Sequence, residues 1–159
     1  MCDPAPWPPK RYWTPGDWRE HSLEDFLQVR MALEGTAAAL AASRANPTSI
    51  LAMRAAMATM REAAMREDWD ALVQADVVLH STIYEASGNT LLAQVLGTLN
   101  DLQVDIRRAV MSIPERKERL LAIHEPLTDS IQRRDPEAAR SIMEGLSRVF
   151  TEDFGVELD

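Results

Sequence analysis

A carboxylate and an imidazole stand in the middle of an otherwise apolar helix-period stripe: Leu72, Ala75, Asp76, Leu79, His80, Ile83. Four residues of separation put both side chains on one helix face, one turn apart. An unpaired carboxylate on a core face is costly, so this pair calls for a cation, a bound polar ligand, or each other. His124 falls inside a second stripe, Leu120, Leu121, His124, Leu127, Thr128, Ile131. Arg30 falls inside a third, Leu23, Phe26, Leu27, Leu33, Ala37, Leu40, with Glu34 one turn on. If the three helices are neighbours, Arg30, Asp76, His80 and His124 converge on one polar pocket in an apolar bundle. Small-molecule sites commonly take that form. Two histidines and a carboxylate also make a ligand set for Zn, Ni, Mn or Fe, with positions left open for water or a substrate oxygen.

Plainer readings exist for each residue. Asp76 and His80 could pair only with each other, and Arg30–Glu34 could be an ordinary intrahelical ion pair. A lone core histidine is usually a hydrogen-bonded structural residue. Against this, a core that needed only packing would place leucine at all four positions. Three function classes therefore stand side by side: a metabolite-sensing domain, a metal-dependent enzyme, and a dimerisation module with an inert polar core. The enzyme class is the weaker, because no Gly-rich phosphate loop, Cys-x-x-Cys pair or nucleophile motif accompanies the set. Met53, Met57, Met60 and Met65 read as core or a dimer face.

The elements that position these residues are helices. With hydrophobic residues at 46%, aromatics at 6% and only six glycines, composition favours helices packed on helices. Residues 1–21 hold five of nine prolines and three of four tryptophans and read as an extended arm. Trp7, Trp13 and Trp18 are expected to lie against the domain or a partner chain, and His21 at the surface. Ser22 caps a helix reaching about Ser43. Asn46-Pro47 opens a second, to about Arg66, and Asp68 a third, ending at the stop signal Ser87-Gly88-Asn89. A fourth runs from Thr90 to about Met111, with Leu92, Val95, Leu96, Leu99, Leu102 and Ile106 inward. Ser112-Ile113-Pro114-Glu115 has capping-box spacing and starts the fifth. Pro126 inside it is expected to divide that helix into two pieces. Asp135-Pro136 opens the sixth, to about Phe154, whose inward face (Ala139, Ile142, Met143, Leu146, Val149, Phe150) carries no polar residue. Residues 155–159 read as an acidic tail. Six helices with short joins predict an antiparallel all-α bundle over 22–154.

A net charge of −8, from 17 Lys plus Arg against 25 Asp plus Glu, argues against direct DNA binding by this chain. The single cysteine, Cys2, excludes an internal disulfide. No signal-peptide pattern is present, and no apolar run approaches the roughly 20 residues of a membrane span. A cytoplasmic location is expected.

Val29-Arg30-x-x-Leu33-Glu34 with Ala37–Ala42, then Asp76-x-x-Leu79-His80, Ser87-Gly88-Asn89, His124 and Asp135-x-x-Ala138-Ala139 together resemble a known domain. The pattern is similar to the FadR-type C-terminal effector-binding domain (FCD) of the GntR superfamily of bacterial transcription regulators. The resemblance covers about Ser22 to Phe150. It implies an antiparallel bundle of six to seven helices, commonly a homodimer, sensing a small carboxylate metabolite such as a sugar or hydroxy acid. It also implies a bound divalent metal (Zn, Ni or Mn) held by Asp76, His80 and His124, with Arg30 meeting the effector's carboxylate. The family's remaining histidine ligand corresponds to Leu146 here, a departure that implies weaker metal binding. It implies, too, a winged helix that would read DNA; with only the 21-residue arm before helix one, the chain is expected to be either the isolated effector domain or a product without that reader head.

Overall fold

The computed structural model describes residues 23–102, 104, 107 and 114–152. Six helices run in chain order: α1 (Leu23–Arg44), α2 (Pro47–Met65), α3 (Trp69–Ala86), α4 (Thr90–Leu102), α5 (Pro114–Gln132) and α6 (Pro136–Glu152). Among the described residues there is no strand. The arm with its tryptophans, His21 and the tail lie outside the described residues, as do Ser112, Ile113 and Phe154.

Helix starts follow the capping chemistry of the sequence. Asn46 Oδ1 accepts from the Ser49 amide at 2.8 Å, with Pro47 in the first turn, where its missing N–H costs nothing. Asp68 accepts from Ala71 N at 3.0 Å, and Asp135 from Ala138 N at 3.0 Å. Gly88 takes φ +66 just past α3, a left-handed turn that suits a residue without Cβ. Asn89 then starts α4 by accepting from Leu92 N at 3.1 Å. The Arg44 guanidinium ties this corner to α1 by donating to the Ser87 carbonyl at 2.9 Å.

α1 is the centre of the bundle. It packs most extensively on α6 and also meets α3, α4 and α5. A single apolar stripe cannot serve four neighbours, and the sequence-derived stripe is too narrow. Ala37, Ala38, Ala41 and Ala42 are all fully buried, whereas Phe26, Leu33 and Leu40 are half-buried. Small side chains let neighbouring backbones close in on α1 from several sides. α2 lies on α3 and buries Met53, Met57 and Met60, so these methionines are core, while Met65 is exposed. A smaller cluster of Ala37, Tyr84, Leu92, Leu96 and Leu99 fixes α4 against α1 and α3.

Two expectations need correction. Pro126 does not divide α5; it sits inside one continuous helix. Packing of His124, Leu127, Thr128 and Ile131 on the same side holds the helix together across the missing N–H, and Thr128 Oγ1 donates to the His124 carbonyl at 3.0 Å. Pro126→Ala restores that N–H and is expected to raise stability by up to about 3 kcal/mol, read as a higher thermal midpoint. The inward face of α6 also carries a polar residue: Ser147 is buried and hydrogen-bonded.

Candidate functional site

α3 supplies Asp76, His80 and Tyr84 at successive i, i+4 positions, all buried. α5 supplies His124, and α1 supplies Arg30 and Glu34 one turn apart. The contacts of α3 and α5 with α1 bring the three sets together. The structure brings these side chains into one buried polar network.

Its first part is a trio. His80 Nε2 and His124 Nε2 face each other at 3.2 Å. Asp76 Oδ1 lies 3.0 Å from His124 Nε2 and 3.7 Å from His80 Nε2. One ligand-type atom from each residue falls within 4.8 Å of the others, and all three residues are fully buried.

The second part is a carboxylate hub. Glu34 Oε1 receives Arg30 Nε at 2.9 Å and the Tyr84 hydroxyl, while Oε2 receives the Ser147 hydroxyl at 2.8 Å. His80 Nδ1 approaches Tyr84 Oη at 3.2 Å and Glu34 Oε1 at 3.4 Å. The Tyr84 proton is committed to Glu34, so Tyr84 Oη accepts from His80. This places the imidazole proton on Nδ1 and leaves a lone pair on Nε2, directed at the trio. Glu34 thus links Arg30 to His80 and so to the trio.

Burial alone would raise the pKa of Glu34. The Arg30 guanidinium, His80 and Tyr84 together outweigh it, and the carboxyl stays far below its ordinary value of 4.5. Burial, then the Glu34 charge, pushes the Tyr84 phenol well above its ordinary value, so it remains an O–H donor.

The residues fit a divalent metal. Neither buried oxygen of Asp76 makes a hydrogen bond of ordinary geometry, although cationic or imidazole groups surround them. Two Nε2 atoms set head to head satisfy at most one of each other's needs with a single proton. A carboxylate behind a metal-facing histidine, here Glu34 with Tyr84 behind His80, is the usual way such a ring is oriented. Asp76 Oδ1 and the two Nε2 atoms would hold the ion.

Several members of this network were not legible as functional. Tyr84 extends the i, i+4 series of Asp76 and His80, a signal available in the spacing. Asn100 and Arg107, seven residues apart, share a helix face, but both types ordinarily sit at the surface. Arg107 is buried, pairs with Asp76 through Nη1 and donates from Nη2 to Asn100 Oδ1 at 2.7 Å. Burial, then the Arg30 charge, pulls its pKa down to about 9, so it remains charged at neutral pH. Ser147 gave no signal, because a small hydroxyl is ordinary in helices. Leu146, the position to which the resemblance assigns a further ligand, is buried.

A helical bundle of this kind is shared by solved structures. Streptococcus agalactiae GntR superposes with a TM-score of 0.69 at 21% identity, over 79% of this chain and 56% of that one. E. coli McbR/YncC gives 0.70 at 18% identity, over 82% and 68%. These likenesses define the fold as the FadR-type C-terminal bundle. Residues 25–147 match the FCD domain family, and the chain belongs to that family of GntR-type regulator domains. It is similar to the “Putative L-lactate dehydrogenase operon regulatory protein” of Escherichia coli (strain K12), at 34% identity over 123 residues. The protein of the same name in Shigella flexneri matches equally. The alignment takes in 75% of this chain and 46% of each relative, so the chain spans about half the length of these curated relatives. Among the described residues, no helix is long and apolar enough to cross a membrane.

Proposed function

We propose that this domain senses a small carboxylate metabolite for a GntR-type transcription regulator, working as a cytoplasmic homodimer. In this reading a divalent ion held by Asp76, His80 and His124 assists binding, and Arg30 meets the carboxylate. The observation that carries it is the buried trio, whose Asp76 oxygens make no hydrogen bond of ordinary geometry, tied through Glu34 to a guanidinium. The ion would offer open coordination positions to a carboxylate or hydroxyl oxygen. Arg30, oriented by Glu34 through Nε, supplies the planar fork that carboxylates match. Reading of DNA falls to a winged helix and not to this acidic bundle. Binding, rather than catalysis, is the role proposed. The L-lactate dehydrogenase operon in the relatives' name makes a short 2-hydroxy acid such as L-lactate the first probe.

Charge bookkeeping sharpens the expectation. Among the described residues, the buried charges are Arg30 and Arg107 against Glu34 and Asp76, a neutral sum when the imidazoles are neutral. A divalent ion would add net positive charge to this buried centre, and an anion would offset it. Metal and acid are therefore expected to raise each other's affinity equally, by linkage. Calorimetry of the purified chain against L-lactate and a panel of hydroxy and sugar acids, with and without Zn²⁺, tests this. Saturable one-to-one binding that tightens with metal is the expected result. No acid binding under either condition overturns the sensor reading.

A further inference from the structure

Asp76 is the sole carboxylate of the trio, and it already has a cation. Arg107 is helical and buried, with Nη1 on Asp76 Oδ2. Its other terminal nitrogen is held by Asn100, whose own orientation is fixed from α3. The Asn100 amide nitrogen donates to the Val77 carbonyl at 3.2 Å and to Ser81 Oγ at 3.1 Å. Only its oxygen can then face Arg107, which accepts at 2.7 Å. Val77 and Ser81 each directly follow a trio residue on α3, so the clamp is anchored to the same helix as the site it serves. A flexible surface arginine would cost nothing to move. This one is positioned.

Two neutral imidazoles alone are a weak site for a divalent ion; the charge that would neutralise it is the one Arg107 occupies. We propose that Arg107 is a tethered cation competing with divalent metal for Asp76, so that metal enters the trio only when the guanidinium withdraws. This rests on the metal half of the function proposed above and adds its control: the empty centre is held closed by the chain's own charge. Arg107 and Asn100 set how readily the centre loads.

The test is equilibrium Zn²⁺ binding to the full chain, by competition with a chromophoric chelator in a carboxylate-free buffer. Arg107→Met, which keeps length and removes charge, is expected to bind Zn²⁺ at least about tenfold more tightly than the original chain. Asn100→Ala keeps both charges and loosens only the clamp; it is expected to shift affinity the same way by a smaller factor. If Arg107→Met is unfolded alone but gains helical circular dichroism with Zn²⁺, metal has taken the place of the guanidinium, and the proposal stands. Equal or weaker Zn²⁺ binding by Arg107→Met overturns it. So does the absence of Zn²⁺ binding in every variant, which makes Arg107 a structural counter-ion. Acid titrations read the sensor function separately: acids that bind while Arg107→Met shows no gain remove only this competition, and the converse removes only the acid.

Discussion

Glu34→Gln is expected to destabilise the fold by about 3–5 kcal/mol, the largest effect of any conservative exchange at the site. Glu34 is fully buried and is the acceptor for Arg30, Tyr84 and Ser147, with His80 at its edge. An amide keeps the shape and one acceptor oxygen but removes the charge, leaving the Arg30 guanidinium in the core without its counter-ion. The remaining amide hydrogens must also point at groups that themselves donate. Urea unfolding monitored by circular dichroism measures the loss. The pH dependence carries the same signature. The folded-state pKa of Glu34 is depressed, so its contribution is complete above the ordinary value of 4.5. It is lost progressively as pH falls below that toward the folded value. The unaltered chain should therefore lose stability on acidification below about pH 4.5, and Glu34→Gln should lose less over that window. Equal stability of the two chains at neutral pH would show that the hub is not what holds Arg30.

His124→Ala and His80→Ala are each expected to lower Zn²⁺ affinity by at least about 100-fold, more than loss of an orienting partner behind a ligand usually costs. Each removes one of the three metal-ligand-type residues grouped at this centre among the described residues. The helical circular dichroism should persist, since the surrounding core of Leu72, Leu79, Ile83, Leu127 and Ile131 is untouched. Tyr84→Phe separates ligand from support: it removes the acceptor that sets the His80 proton on Nδ1 and should cost about 10–100-fold. If both histidine variants bind acid and Zn²⁺ as the unaltered chain does, the inert dimerisation module becomes the better description.

Much of this centre was visible in spacing. Asp76, His80 and His124 broke apolar stripes, and a buried polar residue in a helical core is informative because leucine is the cheaper occupant. What spacing cannot supply is the partner. Glu34 looked like the local mate of Arg30, yet it also receives groups from α3 and α6, 50 and 113 residues away in sequence. Arg107 stood out in no stripe of the sequence and is buried against Asp76. The polar contact of Ser147 was invisible because serine is small enough to sit on either face of a helix.

The helices themselves were set by local chemistry: Asn46, Asp68 and Asp135 at their starts, Gly88 at a stop, and alternation on a 3.6-residue period between. Those signals act within a turn or two, so one chain segment suffices to read them. Which face of α1 is buried, whether Pro126 breaks α5, and which cation neutralises Asp76 depended on neighbours supplied by distant segments. Packing energy from several helices outweighs the local preferences of alanine and proline, and a buried charge takes whichever opposite charge the fold brings within reach.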